Sequence, residues 1–281
     1  MDQFAATILF RLMALLGLAL IFVPLEFVVR FIQAKPIPKC AGVPADILHW
    51  ILTPLFVAPL VTAILTSAVA AVYLSQGKVF THLEDGGFGP IILQPLWLII
   101  LEMLLFADLC AYCRHRIMHK FIWPVHSVHH SSTEVYWLSA VRFHPLDVLA
   151  QSLSYLIPAY LLGFPLKAIA IYMPFVTLYN FLLHSPIDWS FGPLRYVVVT
   201  PAYHRWHHVL EEAGQQANFA TIFSFYDILF GTFYFPRNKR PENFGVLGAD
   251  IPRDYFGQIF YPLVRAPGAK VELAEGGEAG T

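Results

Sequence analysis

Charge is scarce in this chain. Of its 281 residues only 13% are Asp, Glu, Lys or Arg, and 18 basic residues against 19 acidic ones give a formal net charge of -1. Gripping nucleic acid takes a concentrated basic surface with aromatic rings between the cations, and no such run occurs, so that class is excluded. Cysteine is nearly missing as well, with three residues, Cys40, Cys110 and Cys113. Cys110 and Cys113 form a Cys-x-x-Cys with no second pair to complete a zinc site, and they end an apolar segment, so they read as buried helix residues. No internal repeat is visible.

What remains is apolar. Hydrophobic residues make up 57% of the chain, and the mean hydropathy of +0.58 is that of a membrane protein. The first apolar run, Phe4 to Val29, is too long for a secretory signal and carries Arg11 and Glu26, so it reads as a retained span. A second, Ile47 to Leu74, has Pro54 and Pro59 near its start, which predict a kink or a late helical start. A third, Ile91 to Leu109, leads into a histidine cluster. Val148 to Leu162 and Leu166 to Leu183 are joined by Gly163-Phe164-Pro165, a turn that makes a helical hairpin.

These segments predict an all-α integral membrane protein with about three transmembrane helices, a helical hairpin and a histidine-rich helical cap. Arg30, Lys35, Lys39, Arg114, Arg116 and Lys120 fall on the cap's side, whereas Lys78 in the loop from Ser75 to Pro90 is offset by Glu84 and Asp85. The bias predicts a cytoplasmic cap and an outside N-terminus. Residues 1–100 form the N-terminal membrane region and 101–262 the histidine-bearing domain. The tail 263–281, rich in Gly, Ala and Glu, reads as disordered.

Eight of the 12 histidines fall into three clusters: His115-Arg-Ile-Met-His119, His126-Ser-Val-His129-His130 and His204-Arg-Trp-His207-His208. On a helix, positions i, i+3 and i+4 share a face, so each cluster projects its imidazoles in one direction from a rigid element. Imidazole suits zinc, copper, iron and nickel, and eight convergent rings exceed what one ion needs. The soluble di-iron bundles use Glu and Glu-x-x-His pairs, and no such pair appears in this chain.

The histidine pattern, the short gap between His119 and His126, and the stretch Asn218-Phe-Ala-Thr-Ile-Phe-Ser-Phe-Tyr-Asp227-Ile-Leu-Phe-Gly231-Thr232 resemble the fatty acid hydroxylase and sterol desaturase superfamily, from about Leu101 to Pro262. Acyl-lipid and acyl-CoA desaturases place the first two boxes further apart, so the gap favours the hydroxylase and sterol branch. The resemblance implies a membrane di-iron oxygenase acting on a fatty acyl or sterol-like lipid, with two irons, O2 as co-substrate and electrons from a separate donor, a ferredoxin or a b-type cytochrome with its reductase. The absence of a His-Pro-Gly-Gly haem segment and of a Gly-x-Gly-x-x-Gly loop agrees with a separate donor.

Carried over by position, the resemblance implies His115, His119, His126, His129, His130, His204, His207 and His208 as metal ligands. His184 sits where these hydroxylases often have a further His-x-x-x-His, with Asn180 in place of the first histidine. That departure leaves open an amide ligand, a water, or no ligand from Asn180. His144, before Pro145 at the hairpin start, is either a metal contact or a helix-boundary residue bonded to a carbonyl. Asp108, Tyr112, His115 and His119 form one helical stripe matching the family's Asp-x-x-x-Tyr-x-x-His, which makes Asp108 the carboxylate expected to orient a ligand. Asp227, before Phe-Gly-Thr, is expected to support or cap the last box, with Thr200-Pro201 as the N-cap and first residue of its helix. His49 and His82 lie far from the boxes in sequence and read as structural or solvated. Trp123, Trp137 and Trp206 are expected at the interface belt.

Three functions remain in play. The first is lipid hydroxylation. The second is desaturation at the same site. The third, from another class, is a non-catalytic metal-binding membrane protein; a transporter would place its polar residues near the bilayer midplane, whereas these boxes follow the spans and alternate with Arg and Lys.

Overall fold

The computed structural model describes residues 2–34, 41–77, 89–236 and 239–264. Lys35, Lys39, Cys40, the loop bearing Lys78, His82, Glu84 and Asp85, and residues 265–281 of the tail lie outside the described residues. The described residues are helical, with one isolated bridge between Val209 and Phe244.

Helix α1, Gln3–Ile32, starts where the Asp2 carboxylate accepts the Ala5 N–H at 2.7 Å, and Arg30 lies in its last turn. Helix α2, Val43–Ser75, contains Pro54 and Pro59, but they do not delay it. Pro44 occupies the first turn, where a missing N–H costs nothing, and Asp46 complements the helix dipole, so the helix begins well before either proline. Helix α3, Leu96–Phe121, runs unbroken from the apolar run into the first histidine box. After α4, Trp123–His130, the chain forms the predicted hairpin of α5, Pro145–Leu162, and α6, Leu166–His184. Gly163 turns it with φ of +92°, and an added Cβ there would lie 2.4 Å from the Gly89 carbonyl oxygen. The remaining helices are α7, Pro201–His207, α8, Glu212–Gln215, α9, Phe225–Leu229, and α10, Tyr255–Val264.

Four helices, α1, α2, α3 and α6, are long and apolar enough to cross a bilayer. At 1.5 Å per residue even α6, the shortest, reaches about 28 Å against a hydrocarbon core of about 30 Å. Large apolar side chains cover their outer faces, among them Phe10, Phe31, Phe56 and Trp97. The chain is a multi-pass integral membrane protein. Cys113 is exposed on α3 and Cys110 is half-buried. This corrects the buried reading, because an apolar helix in lipid need not hide its thiols.

The core packs α3, α5 and α6 together through Met103, Ala107, Tyr155, Ala159 and Tyr172. A second cluster joins Phe22 of α1 to Trp137, Leu138 and Phe181. Trp137 stacks on Phe22 with ring centroids 5.5 Å apart, and both Trp137 and Trp206 are buried rather than placed at an interface belt. Ring burial inside the protein outweighs interfacial placement for these two.

Polar ties fasten the membrane helices to the cap. The Glu26 carboxylate of α1 accepts the Trp137 N–H at 2.7 Å. Asp46 of α2 holds Arg142 through two bonds, of 2.6 and 2.9 Å, and also receives the Tyr136 hydroxyl. Breaking a buried, bidentate pair leaves an uncompensated charge. Asp46→Ala is therefore expected to destabilise the protein by about 3–5 kcal/mol, while Leu93→Ala, at an exposed residue, changes stability by no more than about 0.5 kcal/mol. Thermal unfolding in detergent checks this; equal melting temperatures for the two variants would contradict it.

Candidate metal centre

Nine histidines converge from four helices. His115 and His119 come from the last turns of α3, His126, His129 and His130 from α4, His184 from the end of α6, and His204, His207 and His208 from α7 and its C-cap. The Thr200 hydroxyl caps α7 by accepting the Tyr203 N–H at 3.2 Å, and Pro201 opens the helix. All nine rings are buried, and they fall into two groups. The first contains His115, His119, His126, His130 and His207, the second His129, His184, His204 and His208; within each, the candidate ligand nitrogens lie within 4.8 Å of one another. The groups adjoin, with ring centroids 4.6 Å apart between His130 and His208.

Hydrogen bonds fix which nitrogens face inward. Nδ1–H of His115 donates to the Phe219 carbonyl at 2.9 Å, that of His207 to Ala217 at 2.6 Å, that of His129 to Arg142 at 3.2 Å and that of His184 to Asn180 at 2.9 Å. A carbonyl can only accept, so each of these rings carries its proton on Nδ1 and presents a bare Nε2 lone pair. The Nε2 atoms of His115 and His207 then face each other at 2.9 Å with no hydrogen between them. Nε2 of His184 lies 3.3 Å from Nε2 of His204, and Nε2 of His208 lies 3.1 Å from that same atom. Both ring nitrogens of His119 and His130, and Nε2 of His126, are buried with no partner among the described residues. Lone pairs crowded together in a dry volume call for cations, and five nitrogens beside four fit two of them.

Protonation does not compete. Burial first, and then the neighbouring imidazoles, hold His129, His130, His204 and His208 well below the ordinary histidine range. Burial pushes His207 down to about 3, opposed by its bond to the Ala217 carbonyl. At neutral pH these rings are neutral, the form that binds metal.

Carboxylates hold the carbonyls that hold the histidines. Asp108 accepts the N–H groups of Thr221, Ile222 and Phe223 at 2.9, 3.0 and 2.7 Å. Asp227 accepts those of Phe219 and Ala220 at 2.8 and 3.0 Å, and the Thr232 hydroxyl at 2.8 Å. Tyr112 lies 2.9 Å from that hydroxyl. Together they fix the segment 217–223, whose carbonyls at Ala217 and Phe219 orient His207 and His115.

Two further carboxylates carry no distinct sequence signal. Asp147 accepts Nδ1–H of His126 at 2.5 Å and Arg114 at 2.6 Å; behind His144-Pro145 it reads simply as a first-turn helix acid. Asp46 braces Arg142, whose carbonyl orients His129, from 96 residues away in the chain. Only the fold reveals that partnership.

His144 belongs to neither histidine group. Its Nδ1 accepts the Leu146 N–H at 3.1 Å, so its proton is on Nε2, which donates to the Ile259 carbonyl at 3.0 Å. Asn180 turns its amide nitrogen to the Val176 carbonyl at 2.9 Å and meets His184 through its main chain. His49 is nearer the boxes than its sequence position suggests: it lines a cavity of about 250 Å³ that also reaches His115, His126, His129, His184 and His204. Both its ring nitrogens are engaged, Nε2 with Gln258 at 2.8 Å and Nδ1 with Thr53 at 3.3 Å. Trp123 packs on His119, with centroids 4.9 Å apart.

Removing an outer partner should loosen a metal without dismantling its site. Asp147→Ala and Asp108→Ala are each expected to weaken metal binding by about 10–100-fold, read by competition with a chelator. Unchanged affinity in both would show that these carboxylates do not position ligands.

A sequence model for the family described as fatty acid hydroxylase matches residues 100–232. An ornithine lipid hydroxylase of Rhizobium tropici is 32% identical over 165 residues, 58% of this chain and 49% of the relative. An alkylglycerol monooxygenase of Caenorhabditis elegans is 28% identical, over 56% of this chain and 30% of the relative. A Delta(7)-sterol 5(6)-desaturase of Gibberella zeae is 28% identical, over 57% and 43%. The chain thus spans about half, or less, of the length of the curated relatives it matches. No solved structure matches. From residue 100 to residue 232, where all three histidine boxes lie, this chain carries a domain of the fatty acid hydroxylase family.

Proposed function

We propose that the protein is a membrane-bound di-iron oxygenase that hydroxylates a C–H bond of a lipid, using O2 and electrons from a separate donor, a ferredoxin or a b-type cytochrome with its reductase. The observation that carries the proposal is the pair of adjoining histidine groups at the wall of one cavity. Two irons bound there would supply reductive activation of dioxygen for attack on an unactivated C–H bond. His115, His119, His126, His130 and His207 hold one ion, and His129, His184, His204 and His208 the other. Residues 101–262 form the catalytic domain, which includes α6 and most of α3, two of the candidate spans, and residues 1–100 an N-terminal transmembrane region.

The chain's own residues contribute orientation and exclusion. The carbonyls of Ala217, Phe219, Arg142 and Asn180, with the Asp147 carboxylate, keep the proton of five ligands, His207, His115, His129, His184 and His126, on Nδ1, so these five need no reorienting at turnover. Val176 and Phe181 give the cavity wall an apolar part that suits a hydrocarbon chain. Substrate held there meets the site in one orientation, which sets the carbon oxidised. The lipid hydroxylase and alkylglycerol monooxygenase among the relatives support this reading.

Desaturation at the same site is the second reading, favoured by the sterol desaturase relative. Turnover under heavy-isotope dioxygen separates the two. Hydroxylation places one labelled oxygen in the lipid; desaturation sends both to water. A labelled hydroxyl is the expected product, an unlabelled alkene would select the desaturase, and no oxidised lipid from iron-loaded, reduced protein would remove catalysis and leave a metal-binding role.

The histidine boxes face the cytoplasm in this proposal, supported by Arg30, Lys35, Lys39, Arg114, Arg116 and Lys120 on their side of the spans. A cytoplasm-dependent reporter fused after His130 is expected to be active. Activity of a periplasm-dependent reporter at the same position would reverse the orientation.

A further inference from the structure

One cation in the cavity wall meets no anion among the described residues. Arg11 lies within α1, an apolar helix long enough to cross the bilayer, and lines the same cavity as His184 and His204. One of its N–H groups donates to the Trp50 carbonyl at 2.9 Å, and its guanidinium lies 5.7 Å from the centre of the Trp50 ring. The Trp50 indole N–H returns a bond to the Arg11 carbonyl at 2.9 Å. No carboxylate pairs with Arg11 among the described residues. Arg114, the other arginine in the wall, is neutralised by Asp147 at 2.6 Å.

A charge inside an apolar span is costly, and such residues mark binding sites or ion pathways. The guanidinium is planar and presents five N–H donors in a fork that matches a carboxylate or phosphate. Trp50 takes one of them and holds the group in place, which pre-orders the rest. The cavity, with a volume of about 250 Å³, joins Arg11 to the histidines.

We infer that Arg11 binds the anionic group of the substrate, a carboxylate or phosphate joined to a hydrocarbon chain, and so orients that chain in the cavity that reaches the histidine site. The inference rests on the oxygenase function proposed above for its second half. The first half concerns binding alone.

Binding decides it, measured by equilibrium dialysis of the purified full-length, metal-loaded protein in nonionic detergent without reductant. Hexadecanoate, hexadecyl phosphate and methyl hexadecanoate are the three probes. At least one anion is expected to bind the unmodified protein about tenfold or more tightly than the ester, the gain of a charge-assisted bond, and the larger ratio names carboxylate or phosphate. Arg11→Gln should bring both ratios to within about twofold of one, with Arg11→Lys between. Equal binding of all three probes to the unmodified protein overturns the inference whatever the variants do, as does a preference undiminished in Arg11→Gln. An anion preference in a protein that never oxidises lipid would overturn the oxygenase function and keep this site; lipid oxidation with no anion preference would do the reverse.

Discussion

The buried meeting of imidazole lone pairs is the constraint on which the rest of the structure depends. A ring that gives its Nδ1 proton to a carbonyl has a bare Nε2, and the structure points several of these at one another, most closely at His115 and His207. Each buried polar atom left without a partner costs about 1–3 kcal/mol, and His119 and His130 each contribute two. Such an arrangement is unfavourable as an apolar core and favourable as a cage for positive charge. The low proton affinity that burial gives His207 and its neighbours means that protons do not fill this role at neutral pH.

The supports around the cage follow from that cost. Ligands drawn from four helices have to be aimed together, and much of the aiming is done by main-chain carbonyls held rigid by buried carboxylates. Asp108 and Asp227 clamp the segment 217–223 from its two sides, Asp147 fixes His126, and Asp46 braces Arg142. This explains why a chain with so few charged residues buries four aspartates completely. Metal binding and folding are then one problem: the cap is held by the groups that orient the ligands.

Much of the site was legible in the sequence because helical spacing is local information. His115 and His119, or His204 and His208, share a face by arithmetic alone, and Asp108 falls on the stripe of the first box. The hairpin at Gly163 was legible for the same reason, since the turn chemistry sits in three consecutive residues. Partnerships across the chain were not. Asp46 lies just before the second apolar run, and nothing near it announces Arg142. His49 reads as remote until α10 and α2 are brought together around Gln258. Trp137 and Trp206 read as interface anchors because ring chemistry alone does not report burial, and Pro54 as a late start because the better start at Pro44 lies in a less apolar stretch.

Metal content decides whether the two histidine groups form a two-ion cage. Protein expressed with adequate iron, purified in detergent and shown to be folded should carry two metal ions per chain by elemental analysis, iron among them. His129→Ala and His207→Ala, which remove one nitrogen from each group, should each lower that number while the chain stays folded. Folded protein with no bound metal, or full occupancy in both variants, would contradict the account.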